Sequence, residues 1–340
     1  MNGPTEPGPS GLPAGYGLRR PRGDDLDEVV ALIAAADLAA TGETTASPDD
    51  LRSEWAQPRF ELTRHAWLVV TRDDAAPGAH HAAGGDAATG DGRIVAYAWV
   101  FDVADHSAVD GQFLVHPDHQ WRGLEAPLLE WIERFASELT AAAGAPAGTS
   151  LGVWCARGDR RAELYLAAGF SHTRTFLRLH LALDHLPDDP LVYSPPPGLE
   201  VRRFVALQDD RRAWATLEES FADHFRESPM PFEEWRVLAF EGADTDLWFT
   251  AWDGDEMVGC VTCYAEAYGG HVDRLGVRRR WRRRGLGKLL LLTAFAALRD
   301  HGCAEAVLGV DADNASGALG MYESLGMRRT VTHDFYEKAL

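Results

Sequence analysis

Residues Val277 to Gly287 of this 340-residue chain read VRRRWRRRGLG, a run suited to holding phosphate. Its six arginines bring charge, Gly285 and Gly287 allow close backbone approach to a ligand, and the leucine-rich run Lys288 to Arg299 predicts a helix opening at the turn. The first N–H groups of such a helix lack intrahelical partners and lie at the positive end of its dipole. An anion is the natural occupant. A nucleic-acid patch and a solvated basic face are the other readings of the arginines. The cluster is short and has no base-reading element, and the chain carries a formal charge of −19 from 52 acidic and 33 basic residues. Nucleic acid and anionic membrane are therefore not expected as partners, whereas a cationic substrate is tolerated or drawn in.

Cys260-x-x-Cys263 suggests a redox or zinc pair, but residues three apart on a strand point to opposite faces, and no second pair completes four ligands. No metal is expected. Cys155, Cys260, Cys263 and Cys303 are too few and too scattered for a secreted disulfide framework, so a reducing cytoplasm fits. Residues 1–15 are rich in Pro and Gly, lack the apolar core of a signal peptide, and read as a disordered leader. No run approaches the roughly 18 apolar residues that span a bilayer.

The elements that must position this turn occur twice, as an internal duplication. In the first half, strands are expected at Gly17–Arg20, Trp67–Arg72, Ile94–Asp102, Val109–Val115 and Leu151–Trp154, and helices at Asp25–Ala36, Leu124–Ala141 and Asp159–Ala168, with paired strands near Thr173–Leu183. In the second half, strands are expected at Glu200–Phe204, Leu247–Trp252, Met257–Ala265, Val272–Val277, Val307–Val310 and Thr330–Tyr336. Its helices fall at Asp209–Ala222, Phe232–Phe240, after Gly287, and at Ser316–Leu325. Asp184–Gly198 is proline-dense and reads as a linker, and Asp73–Gly92 as a long loop. The expected domains are 16–185 and 199–340, with the linker at 186–198.

Strand, Arg282-x-x-Gly285-x-Gly287, helix, buried strand, then Asn314 and Tyr322 ahead of Leu325-Gly326-Met327: this order resembles the GCN5-related N-acetyltransferases (GNAT family). The resemblance covers most of the second half and, more weakly, most of the first. The tandem arrangement is similar to the group containing mycothiol synthase. It implies an α/β (α+β) fold of two domains, each a mixed, mainly antiparallel sheet flanked by helices and splayed between its central strands.

It also implies an acetyl-CoA-dependent N-acetyltransferase acting by direct attack of a small-molecule amine, without a covalent enzyme intermediate. Main-chain N–H groups of Arg283, Arg284, Gly285, Leu286 and Gly287 would bind the pyrophosphate, with Arg282 adding charge. Leu275 and Val277 would pair with the pantetheine arm, and an N–H near Leu275 would face the oxyanion. Asn314 would contact that arm or cap the following helix. Tyr322 would protonate the departing thiolate, or serve as a buried structural residue. An amine acceptor needs deprotonation, for which His271 and Asp273, two apart on one strand face, are candidates; solvated polar positions are the alternative. Glu266 and His224 are weaker candidates. A mycothiol-synthase activity and a non-catalytic coenzyme-A sensor are the competing functions, and the chain is expected to be a monomer or homodimer.

The first copy, Val115 to Glu125, keeps Gln120 and Gly123 but places Glu125 where Gly287 stands, and Arg157 where Asn314 stands. A bulky carboxylate at a phosphate cradle brings repulsion and blockage. Catalysis is expected in the second half, with the first retained as a fold.

Overall fold

The computed structural model describes residues 8–44, 46–57, 59–72, 92–103, 106, 108–146, 148–186, 197–227, 229–240, 243–266, 269–314 and 317–340. The loop expected at 73–92 and the linker expected at 186–198 lie almost wholly outside the described residues. The chain divides into two compact units, Met1–Thr173 with His333–Leu340, and Arg174–Thr332. These bounds differ from the expected 16–185 and 199–340.

The first unit contains β1 (Tyr16–Arg19), α1 (Leu26–Thr41), α2 (Pro48–Trp55), α3 (Leu62–His65), β2 (Ala66–Thr71), β3 (Ile94–Val103), β4 (Ala108–Val115), α4 (Glu125–Ala143), β5 (Ser150–Ala156) and α5 (Arg161–Ala167). The hydrophobic pattern did not reveal α2 and α3. A local signal for α2 existed: Ser47 precedes Pro48, and its hydroxyl accepts the N–H of Asp49 at 3.2 Å, an N-cap with proline at the first helical position. Strands β1 to β5 lie in sequence order, and His333–Ala339 pairs antiparallel to β5 as the sixth. Only β4 and β5 run parallel, and their register covers no more than Ala108–Asp110 against Ser150–Gly152.

The leader is partly ordered, contrary to its expected disorder. Arg134 donates to the Gly8 carbonyl at 3.1 Å, and Leu12 packs on the core of this unit. Glycine and proline prevent a regular element there, but they do not prevent apolar side chains from packing. Residues 1–7 lie outside the described residues.

A single strand, β6 (Ser171–Ala182), replaces the pair expected near Thr173–Leu183. Its Phe176–Ala182 portion belongs to the second unit, with β7 (Leu199–Arg203), α6 (Asp210–Phe221), α7 (Phe232–Phe240), β8 (Phe249–Asp253), β9 (Glu256–Glu266), β10 (Gly269–Val277), α8 (Leu286–Asp300), β11 (Glu305–Asp311), α9 (Ala318–Ser324) and the start of β12 (Arg328–Ala339). Strand order there is β6-β11-β10-β9-β8-β7.

Helix α8 is apolar on nearly every side because it is buried on nearly every side. Leu290, Leu291, Phe295 and Leu298 are fully covered, and each buried leucine contributes up to about 1.5–3 kcal/mol. Two glycines let α8 sit directly on the sheet. A Cβ at Gly259 would stand 2.9 Å from Leu290, and one at Gly270 would stand 2.6 Å from Leu298. Gly276 does the same for α6, since a Cβ there would meet Ser220 at 2.9 Å. Gly270 and Gly276 are an even number of residues apart, so a regular strand would show them on one face. A bulge at Asp273, where the pairing with β9 shifts between Val272 and Arg274, moves them to opposite faces and opens the sheet to both helices.

Candidate active site

The site begins where β10 leaves β11. These parallel strands pair only through Gly270 with Ala306 and His271 with Val307, although β10 continues to Val277 and β11 to Asp311. Beyond His271 they diverge, as expected. The Arg274 N–H points to β9, donating to the Thr262 hydroxyl at 3.1 Å, and the Arg278 N–H does the same to the Val258 carbonyl at 3.0 Å. Alternation along an extended strand therefore turns the main-chain groups of Leu275 and Val277 to the opening.

At the end of β10 the chain makes a 3-10 turn, Arg279–Trp281, and enters α8 through two left-handed residues, Arg283 at φ 64° and Gly285 at φ 82°. That alternation curls successive N–H groups into a concave anion site. Around Gly287 the protein leaves room, with the nearest atoms 3.6 and 3.7 Å from a Cβ placed there. The cradle thus fits a pyrophosphate on its own geometry. Asn314 lies in the turn after β11, where its N–H donates to Asp311 at 3.1 Å. The N-cap of α9 is Gly317, whose N–H lies 3.4 Å from the Asn314 carbonyl.

Most of the six arginines have structural work. Arg278 pairs with Glu256 at 3.2 Å, Arg279 with Asp223, and Arg280 lies over the Trp281 ring. Arg282 donates to the Val277 carbonyl and to the Ser220 carbonyl, both at 2.9 Å, tying the turn to the end of β10 and to α6. Expected mainly as charge for phosphate, it is held as a brace. Gln120 makes the first of these bonds in the other unit, to Val115 at 3.1 Å. Arg282→Ala should therefore raise the KM for acetyl-CoA about 10- to 100-fold, the worth of a charged hydrogen bond, with Arg282→Gln intermediate. Steady-state kinetics on the pair tests this, and equal defects would remove the bracing role. Arg283 and Arg284 are exposed and free to face a ligand's phosphates.

Tyr322 on α9 is 8% exposed, and burial pushes its phenol up to about 12. Asp273 and His271 both face the side of β10 that carries Thr262 and Tyr264. The Thr262 hydroxyl donates to Asp273 at 3.1 Å, while His271 stacks on Tyr264 with ring centroids 4.9 Å apart. Solvent reaches Asp273, yet surrounding protein raises its carboxyl above the usual range, against the pull of Arg274. Burial, with Arg178 and His180 nearby, lowers His271 to about 4, and its Nε2 lies 3.5 Å from Glu266. At neutral pH the ring is uncharged and a weak base.

The His271 shift also has a stability consequence. The unfolded ring takes a proton near 6.5 and the folded one near 4, so this contribution is complete above pH 6.5 and fades as pH falls towards 4. Up to about 3 kcal/mol is lost over that window. Denaturant titrations across it should show a flatter acid limb for His271→Gln, and an unchanged slope would contradict the shift.

Sequence reasoning missed the neighbours on this face. Arg274 bonds Glu227 at 2.7 Å and lies over the Phe221 ring at 4.8 Å; Glu218 accepts the Met230 N–H at 3.3 Å. His224, a weaker candidate, packs 4.3 Å from Phe221 and is held below its usual pKa by burial. None of these residues forms a motif, and only the fold brings the α6–α7 connection to β10. Cys260 and Cys263 are both buried on β9, paired opposite Gly276 and Val272.

The first unit's turn repeats the backbone path, with Trp121 at φ 59° and Gly123 at φ 92°, but its Glu125 carboxylate accepts the Trp121 N–H at 2.5 Å.

A fold of two splayed α/β units, with a left-handed turn feeding a helix at the end of the opening, defines a tandem acetyltransferase class. A sequence model of the acetyltransferase (GNAT) family matches residues 210–327. A mycothiol acetyltransferase of Frankia casuarinae is 31% identical over 89% of this chain and 91% of its own length. A crystal structure of a GCN5-related N-acetyltransferase from Sphaerobacter thermophilus covers 97% of both chains at 27% identity, with a TM-score of 0.78. A tandem GNAT protein from the clavulanic acid biosynthesis pathway shares the fold at 15% identity and a TM-score of 0.65, over 95% of this chain and 98% of its own. The chain belongs to the GCN5-related N-acetyltransferase family and is an N-acetyltransferase similar to the mycothiol acetyltransferases.

Proposed function

We propose that the second unit transfers an acetyl group from acetyl-CoA to the primary amine of a small molecule by direct attack on the thioester. The observation that carries this reading is the continuity of the opening with the cradle. Leu275 and Val277 turn main-chain edges into the splay, the Val277 carbonyl being held by Arg282, and six to twelve residues further on the Arg283–Gly287 turn offers its N–H groups. An acyl-pantetheine arm lying along β10 adds to it as a strand would, and places the thioester carbonyl beside the Leu275 N–H.

Asp273 is the better of the two bases. Asp273 is reached by solvent, and so by an amine, and is steadied by the Thr262 hydroxyl, whereas His271 is half-buried against the Tyr264 ring. Glu218, Glu227 and Asp273 gather around Arg274 on this side, carboxylates that a cationic amine would meet. The name of the curated relatives makes a mycothiol-related amine the first acceptor to try. The four free cysteines accord with a reducing cytoplasm.

A panel of amines assayed for acetyl-CoA-dependent release of free thiol tests the reading. One or more amines should accelerate release. Coenzyme binding without release for any amine would favour the sensor alternative.

A further inference from the structure

We infer that the first unit cannot take up coenzyme A because its own side chains already occupy the head of the cradle and the Phe113 main-chain groups that the coenzyme would use; this rests on the reading of the second unit's turn and strand as the coenzyme site. Three of the differences between the units deliver a side chain to these contacts.

The first is the cradle. Glu125 takes the place of Gly287, is 4% exposed, and receives the Trp121 N–H, the counterpart of the Arg283 N–H. An internal carboxylate thus sits where the pyrophosphate oxygens would lie. Pro13 closes the outside, its Cγ 3.1 Å from where a Gly123 Cβ would be.

The second and third, Gln112 of β4 and Arg161 of α5, meet at the strand. Phe113 of β4 corresponds to Leu275, and β4 parts from β5 just before it, after Asp110. Its N–H donates to Gln112 Oε1 at 3.0 Å, and its carbonyl accepts from Arg161 Nη1 at 2.9 Å. Gln112 Nε2 also donates to the Trp154 carbonyl at 3.0 Å, spanning the parted strands. The second unit has Arg274 at the position of Gln112, turned away to Glu227, and Ala318 at the position of Arg161. Arg161 is in turn neutralised by Asp159 at 2.8 Å, so the buried cation carries its own counter-ion and does not call for an anionic ligand. A coenzyme entering this groove would have to displace an arginine, a glutamine and a glutamate from satisfied hydrogen bonds, one of them a buried charge pair.

The chain should therefore bind one coenzyme A. The test is calorimetry of the intact protein with coenzyme A, together with amide hydrogen exchange with and without it. One site per chain is expected, with new protection at Arg283–Gly287 and none at Phe113 or Trp121. Two sites, with protection in both units, would overturn the inference and leave the proposed function standing. Protection at Phe113 and Trp121 alone would overturn both. Glu125→Gly should in addition speed exchange of the Trp121 amide, and an unchanged rate there would remove the carboxylate from its assigned role. Glu125→Gln, which keeps the shape and drops the charge, gives the same readout with a smaller acceleration if the glycine variant does not fold.

Discussion

Replacing Tyr322 with phenylalanine should slow turnover by about 10²- to 10³-fold and leave acetyl-CoA affinity nearly unchanged. The Tyr322 ring belongs to the core of the second unit, and losing one oxygen leaves its packing intact. Its chemistry is constrained by its acidity. A phenol near 12 hands a proton to a thiolate whose thiol titrates near ~8.5 at an expense of roughly 5 kcal/mol, so complete transfer from Tyr322 alone is uphill. In the proposed reaction its contribution would be a strong hydrogen bond to sulfur as the carbon–sulfur bond breaks, with the net proton supplied by the amine. The measurement is kcat and KM for both substrates, with coenzyme affinity determined separately. A kcat loss without a binding loss marks an interaction made in the transition state. Parallel losses in both would reduce Tyr322 to a structural residue.

Gly287→Glu should lower acetyl-CoA affinity by at least about 100-fold, equivalent to roughly 3 kcal/mol, and abolish turnover at ordinary substrate levels. The fold itself should tolerate the change, since Glu125 occupies the same position of the first unit and bonds the adjacent N–H. Only long-range atoms, Met321 Sδ and Val277 Cγ2, stand near the new Cβ, at 3.6 and 3.7 Å. The introduced carboxylate should accept the Arg283 N–H and repel the pyrophosphate. Calorimetry alongside the thermal midpoint separates lost binding from lost folding. Undiminished affinity would sink the assignment of the cradle.

Much of the site was legible because it is local. A left-handed turn, the two glycines it needs and a buried helix follow one another within about twenty residues, and their periodicity and turn chemistry survive without the fold. The helix α8 reads as buried from its leucines alone, and Glu125 reads as damage because a carboxylate and a phosphate repel wherever they meet. What was not legible depends on distant partners. Nothing near Arg282 in the sequence announces that it braces Ser220, and nothing near Arg274 announces Glu227. The leader was expected to be disordered because composition reports the absence of periodicity and is silent on docking.

By itself, then, the sequence carried the resemblance to a duplicated acetyltransferase and the contrast between two turns, one with Gly287 and one with Glu125, because residue types and short spacings are read directly along the chain. Tertiary structure alone decided the rest. It placed Asp273 in a bulge that reverses the faces of β10, weakened His271 as a base by burying the imidazole, and assigned His333–Ala339 to the first unit's sheet. It also brought Gln112 of β4 and Arg161 of α5 together on the main chain of Phe113. Strand pairing, burial and proton affinity are properties of neighbours in space, and a chain's order along its length does not carry them.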